Sequence, residues 1–270
     1  TMMPGAHNAL SARIMEAAGF ETILFTGAGF ANTYLGVPDM GLTSLKEVVD
    51  QVAAISDAVD IPILADGDTG FGNALNARRT VRMMERAGAA AIHLEDQVFP
   101  KKCARFGGKE LTPIDEMRGK IRAALDTRRS EDFLIIARTD AMSVTGLDDA
   151  IRRGQAFHDA GADAVMFQSP RNIDDLRRYR DSVKGPLVIT LGSWNIDLSI
   201  EGARDMGFEV VLLPNATMRA SIKAVMDCLT QVRVNGDLKL LAPAMAPLEI
   251  RDDLLRLGAV EALEEKYAAG

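Results

Sequence analysis

Ile61-Pro62-Ile63-Leu64-Ala65-Asp66-Gly67-Asp68-Thr69-Gly70-Phe71-Gly72 sets the terms for the whole chain. Its first half is a short apolar run, which reads as a buried strand. Its second half places two carboxylates one residue apart at the strand end. Strand side chains alternate with period two, so Asp66 and Asp68 point the same way. Gly67, Gly70 and Gly72 let the backbone turn sharply and lie close to a ligand. Paired hard oxygen donors at such an end point to Mg²⁺, with Mn²⁺ as the alternative, because Mg²⁺ is held by one or two carboxylates plus water and substrate oxygens. A solvated Asp/Gly turn has the same composition, so the neighbouring sequence has to decide.

The same strand–turn–helix unit recurs on both sides. Upstream, a helix over Ala9–Gly19 precedes strand Thr22–Thr26, which ends at Gly27-Ala28-Gly29, a Gly-rich end that offers backbone N–H groups to an anion. Thr43 is read as the N-cap of a helix running to Ala58. Downstream, the Asp66/Asp68 turn leads into a helix over Asn73–Ala87. Strands Ala90–Leu94, Phe133–Ala137, Ala164–Phe167, Leu187–Leu191 and Val210–Leu213 follow, each with a helix behind it. Those helices are read over Pro113–Arg128, Leu147–Ala160, Ile173–Ser182, Ile200–Met206 and Arg219–Val234. Steady β–α alternation means a parallel sheet. With Met2–Ala6 as an eighth strand, the expected fold is a closed (β/α)8 TIM-type barrel, ahead of a doubly wound open sheet. Residues 1–270 read as one barrel domain, with Leu241–Gly270 as an amphipathic helical extension that packs on another subunit.

The 270 residues are enough for one large core, and 47% apolar with 26% charged residues is ordinary for a soluble globular chain. A formal charge of −7 argues against nucleic acid or an anionic membrane as partner, and leaves room for a small anionic substrate where basic residues gather. No apolar run reaches spanning length and no secretory signal opens the chain, so a cytoplasmic location is expected. The chain opens straight onto Pro4-Gly5-Ala6, which leads us to expect residues before Thr1. Cys103 and Cys228 have no metal-like spacing and imply no disulfide framework. Cys228 falls in an apolar helical stripe and reads as core, His158 as surface.

Active sites of such barrels lie at the C-terminal strand ends. Those ends deliver Thr26, Gly27, Ala28, Asp66, Asp68, Glu95, Arg138 and Gln168 to one rim, and Asp39 can join the acids from a loop. Carboxylates so gathered repel one another unless a divalent cation lies between them. Arg138 is placed to pair with a substrate carboxylate. His93, two before Glu95, faces the same side and can orient a carboxylate, while His7 is a candidate base near the mouth. The loop Lys101-Lys102-Cys103-Ala104-Arg105-Phe106-Gly107-Gly108-Lys109 sets four cations beside one thiol. Cations lower a thiol pKa, and Gly107-Gly108 would let the loop move as a lid.

At this point the chain resembles the isocitrate lyase/phosphoenolpyruvate mutase superfamily, in particular its methylisocitrate lyase-like and carboxyphosphonoenolpyruvate mutase-like members. The resemblance runs through Ala9-Leu10-Ser11-Ala12-Arg13, Leu35-Gly36-Val37-Pro38-Asp39, Asp66–Asn73, Leu94-Glu95-Asp96-Gln97, Pro100-Lys101-Lys102-Cys103 and Ile136–Ala141. It implies a Mg²⁺ barrel whose last helix is exchanged between subunits of a homodimer or homotetramer. It implies that Asp66 ligates the metal, and that Asp39, Asp68 and Glu95 hold its waters. It implies that Thr26, Gly27 and Ala28 bind a 2-oxo acid or its enolate, that Arg138 pairs with its carboxylate, and that Cys103, with Lys102 beside it, protonates the enolate released by C–C cleavage.

The departures from that pattern cluster on one side. Ala104-Arg105 follows Cys103 where Gly-His is usual, Gln168 replaces a Glu, and Thr190 and Ser193 stand where an Asn and a Glu are usual. His7-Asn8 replaces a Tyr-Asp pair. The metal and enolate side is intact, and the pocket for the second fragment is less acidic, with Arg105, Gln168, Thr190 and Trp194 as its candidate lining. The expected function is a Mg²⁺-dependent lyase acting on a 2-hydroxy- or 2-oxo-carboxylate. The alternatives are an oxaloacetate decarboxylase or hydrolase, P–C bond chemistry of the phosphonomutase kind, and a non-catalytic 2-oxo-acid binder.

Overall fold

The computed structural model describes residues 1–191, 196–237, 239 and 241–268. Eight parallel strands close into a barrel in sequence order: β1 (Met2–Ala6), β2 (Ile23–Phe25), β3 (Ile63–Asp66), β4 (Ala91–Glu95), β5 (Leu134–Thr139), β6 (Ala164–Phe167), β7 (Leu187–Thr190) and β8 (Val210–Leu213). The short N-terminal run is the closing strand, since β1 pairs with β2 through Gly5 and Leu24 and with β8 through Met3 and Leu212. The open doubly wound sheet is thereby excluded. Helices α1 (Ala9–Ala17), α2 (Gly27–Phe30), α3 (Leu45–Ser56), α4 (Ala74–Arg86), α5 (Ile114–Leu125), α6 (Leu147–Asp159), α7 (Ile173–Ser182), α8 (Ile200–Asp205) and α9 (Ala216–Asn235) follow the strands, and α10 (Leu248–Leu254) and α11 (Leu257–Ala268) form the tail.

Period-two alternation divides the strand residues between two cores. Leu24, Leu64, Ala91, Ile136, Met166, Val188 and Leu212 fill the barrel interior. Ile23, Phe25, Ile63, Ala65, Ile92 and Leu94 point outward against the helices. Each buried aliphatic side chain contributes about 1.5–3 kcal/mol. Two residues beyond each interior plug, the same alternation aims Thr26, Asp66, His93, Arg138, Gln168 and Thr190 at the mouth. The apolar plug is thus the floor of the polar rim.

Local signals account for most helix ends. Asn73 caps α4, accepting from the N–H groups of Leu75 and Asn76. For α3 the cap is Ser44 rather than Thr43, because only Ser44 stands three residues before Glu47 and completes a reciprocal box, its N–H donating to Glu47 Oε2 at 2.7 Å. The Gly-rich end of β2 continues into α2 and a π-helical turn over Ala31–Leu35, which the composition did not announce.

The C-terminal helices are the exception to burial. Ile222, Val225, Met226 and Leu229 of α9 recur at helical spacing and are exposed. Cys228 is half-buried on this helix and not a core residue, since among the described residues α9 has no second layer over it. Among described residues α11 buries nothing. The tail touches the barrel through α1, where Arg13 Nη1 donates to the Leu254 carbonyl at 3.3 Å and Arg256 pairs with Glu16 at 3.1 Å. No described helix is long and apolar enough to cross a membrane.

Candidate active site

The turn after β3 supplies the first layer. Asp66 Oδ2 accepts the Gly27 N–H at 3.1 Å and Oδ1 accepts the Asp68 N–H at 3.1 Å. A Cβ on Gly27 would sit 2.9 Å from Asp66 Oδ2, so any larger residue there would have to push the Asp66 carboxylate out of place. One N–H of the Gly-rich end is therefore engaged by a carboxylate and not left free for an anion. Asp68 sits at φ +46°, a left-handed conformation that Asp tolerates better than most residues. Its carbonyl accepts the Glu95 N–H at 2.8 Å, and Gly67 N–H donates to the His93 carbonyl at 3.0 Å, locking the turn to β4. The buried Lys120 Nζ reaches across from α5 to hold the Thr69 carbonyl at 3.1 Å.

Asp39, Asp66, Asp68 and Glu95 converge on the mouth and are all buried. Lys101 Nζ stands between Asp39 (2.8 Å) and Asp68 (2.9 Å). Burial pushes Asp66 up, but His93, Lys101 and Arg138, with the Asp68 N–H, bring it down to about 2. Burial pushes Asp68 up to about 7, against the pull of Lys101. Burial also pushes Glu95 well above the usual carboxylate range, against Arg138 and Lys101. His93, 3.6 Å from Asp66 Oδ1, is pushed down to about 4 by burial and is neutral at pH 7. His7 is buried beside α9, and burial lowers its pKa.

Arg138 is fixed from two sides. Its Nε and Nη2 make a bidentate pair with Asp140 at 2.9 and 3.1 Å, and its Nη1 stands 3.0 Å from Glu95 Oε2. Asp140 went unnamed among the candidates, although it lies two residues after Arg138 and period two would have placed it beside the guanidinium.

The loop over Gln97–Leu111 lies down on the mouth. A bridge between Gln97 and Leu111 closes its base, and the Cys103 N–H donates to the Asp39 carbonyl at 2.9 Å. Two expectations about this loop are corrected. Lys102 does not join Cys103 in the cavity: its Nζ donates to the Gly108 carbonyl at 2.7 Å, and Lys101 takes the inward position. The thiol of Cys103 is not lowered either. Burial pushes it up, with Asp39 adding to the rise, and the Arg105 N–H, Lys101 and Arg138 do not offset this. Of the four cations counted beside it in sequence, Lys102 and Lys109 are turned onto backbone carbonyls of the loop itself, and only Lys101 and Arg105 share its cavity.

Thr26, Ala28, Asp39, Asp66, Cys103, Arg105, Arg138, Gln168 and Thr190 line one cavity. Lys101, Ala104, Pro214 and Asn215, none of them named as candidate site lining, complete it. On the far side Gln168 Nε2 donates to Thr190 Oγ1 at 3.0 Å, a neutral pair. Arg105 is exposed and opens onto an outer vestibule with Asn215 and Arg219. Ser193 and Trp194 lie outside the described residues.

The donor set suits Mg²⁺ more than a softer ion. Among described residues no three Asp, Glu, His or Cys groups come together as a direct cage. Glu95 Oε1 is buried without a hydrogen-bond donor, and Oε2 has only the Arg138 ion pair. A hard cation that keeps several waters and takes only one or two carboxylates directly matches both facts. Asp66 would ligate it, with Asp39, Asp68 and Glu95 placed to take its waters.

Fold and rim together define a (β/α)8-barrel enzyme with buried carboxylates and an arginine gathered at its strand ends. The chain belongs to the phosphoenolpyruvate phosphomutase family, whose profile matches residues 1–233. It is 37% identical to 2,3-dimethylmalate lyase of Eubacterium barkeri, across 99% of this chain and 93% of that protein. It is 39% identical to 2-methylisocitrate lyase of Aeropyrum pernix, across 87% of this chain and 76% of that protein. The crystal structure of phosphonopyruvate hydrolase with oxalate and Mg²⁺ superposes with a TM-score of 0.91 at 34% identity, covering 99% of this chain and 94% of that one.

Proposed function

We propose that this protein is a Mg²⁺-dependent carbon–carbon lyase that cleaves a 2-hydroxy carboxylate carrying a second carboxyl group into a 2-oxo acid and a smaller carboxylic acid. The observation that carries this is the convergence of Asp66, Arg138 and Cys103 on one cavity under a closed loop. Magnesium, when bound, supplies the positive charge that draws electron density toward the substrate's oxygens. Arg138, already oriented by Asp140, pairs with the carboxylate of the 2-oxo fragment. The hydroxyl proton passes to a carboxylate of the rim, the C–O bond becomes a carbonyl and the adjacent C–C bond breaks. The electron pair moves to the carbon beside the second carboxylate, where the Cys103 thiol delivers a proton. A thiol pushed up by burial is protonated at neutral pH, which suits an acid better than a nucleophile.

The neutral Gln168–Thr190 pair and Arg105 indicate a second fragment with fewer donors to offer than an acidic pocket would select. The relatives named for dimethylmalate and methylisocitrate cleavage support the lyase outcome. The phosphonopyruvate hydrolase neighbour favours a second reading, P–C cleavage on the same rim, and a structural neighbour named oxaloacetate acetylhydrolase favours hydrolysis of oxaloacetate there. With Mg²⁺ and a panel of alkylmalates, 2-methylisocitrate, oxaloacetate and phosphonopyruvate, the lyase reading expects pyruvate or glyoxylate from the 2-hydroxy diacids. Turnover confined to oxaloacetate or phosphonopyruvate sinks it in favour of the second. Oxalate binding with no turnover of any of them would mean a binder. We further propose a cytoplasmic homodimer or homotetramer in which the exposed apolar face of α9 and the tail helices pack on a neighbouring subunit.

A further inference from the structure

Behind Arg138, outside the barrel wall, lies a buried polar cluster that the proposed chemistry does not use. Asp96 follows Glu95 and points away from the mouth. Its Oδ1 accepts the Asp140 N–H at 2.9 Å, and its Oδ2 accepts the Thr139 hydroxyl at 2.8 Å. Its own N–H donates to the Arg138 carbonyl at 3.2 Å, and its carbonyl accepts the Thr112 N–H at 2.9 Å. Arg153 of α6 closes the cluster. Its Nη1 donates to Asp96 Oδ2 at 3.2 Å and to the Thr112 carbonyl at 2.9 Å, and its Nε donates to Asp149 Oδ2 at 3.0 Å.

Burying an aspartate and an arginine is expensive, and a well-packed apolar pair often serves stability as well. Here both Asp96 oxygens are committed to the two residues that follow Arg138, and one of those, Asp140, is the bidentate partner of the guanidinium. The same Arg153 nitrogen also anchors Thr112, where the loop over the mouth returns to the barrel. We infer that Arg153 and Asp96 are positioning residues: they set the backbone of Thr139-Asp140 and so fix the plane in which Arg138 meets a substrate carboxylate. Charged outer partners of this kind hold an inner group in its productive orientation.

The inference rests on Arg138 binding the 2-oxo carboxylate. Its test is a double-mutant cycle on the Mg²⁺-loaded protein, with oxalate affinity measured for wild type, Arg153→Met, Arg138→Lys and the double variant. Arg153→Met is expected to weaken oxalate about tenfold in the wild-type background and to leave it unchanged in the Arg138→Lys background, with Mg²⁺ affinity unaltered in both. Arg153→Lys should recover part of the loss. An equal loss in both backgrounds overturns the positioning role, since a general loosening of α6 acts whether or not Arg138 is present. Should Arg153→Met fail to fold, Thr139→Val, which removes the hydroxyl's bond to Asp96 and its acceptance of the Ala141 N–H while leaving Arg153 in place, decides the same cycle. If Arg138→Lys alone leaves oxalate affinity intact, the carboxylate role of Arg138 falls, and the positioning role with it; additivity removes the positioning role alone.

Discussion

The Cys103 thiol, pushed up by burial, shares its cavity with Asp66 and Arg138. With that thiol as proton donor, Cys103→Ser is expected to lower kcat by about a hundredfold or more while leaving oxalate affinity near wild type. Steady-state turnover and oxalate titration check both halves, and unchanged turnover would remove Cys103 from the chemistry. The residue's place in the loop was legible in the sequence, and its protonation was not. Cation counts in sequence say nothing about where the cations point, and Lys102 and Lys109 bond to loop carbonyls instead. Lys101 was missed for the same reason, because a loop lacks the fixed periodicity that would single out one of two adjacent lysines. Asp66, Glu95 and Arg138 were legible because strand alternation fixes their direction.

At the scale of elements, strands and helices followed from apolar runs and punctuation, and β6, α7 and β8 fall on the residues expected. The π-helical turn after α2 did not, because its backbone hydrogen bonds have no residue signature. The start of α6 offers a test by pH. Burial pushes Asp149 up, but hydrogen bonds from Thr145, Arg152 and Arg153 outweigh it and bring it to about 2, below its ordinary 3.8. A carboxyl depressed in the folded state stabilises above its unfolded pKa, and that contribution is lost as pH falls through about 4 toward about 2. Asp149→Asn should therefore lower Tm at pH 7, with the difference from wild type narrowing steadily below pH 4. A difference that stays constant down to pH 2 would contradict the assignment.

For the molecule as a whole, the barrel was readable because eight similar units leave few topologies open, whereas the neutral side of its mouth depends on which residues face each other across strands. The apolar stripe of α9 was also visible, but sequence alone put Cys228 in a core that this chain does not supply. If that stripe is a subunit contact, Val225→Asp with Leu229→Asp should shift the protein to monomer in light scattering without unfolding the barrel; an unchanged mass would place the contact elsewhere. In the proposed site, acids from separate strands hold one divalent cation which, with Arg138, captures a 2-oxo carboxylate. Calorimetric titration of oxalate with Mg²⁺ and with EDTA decides this. Binding that appears only with Mg²⁺ and disappears in Asp66→Ala is the predicted result. Equal binding in EDTA, or an Asp66→Ala variant that binds like wild type, would contradict it.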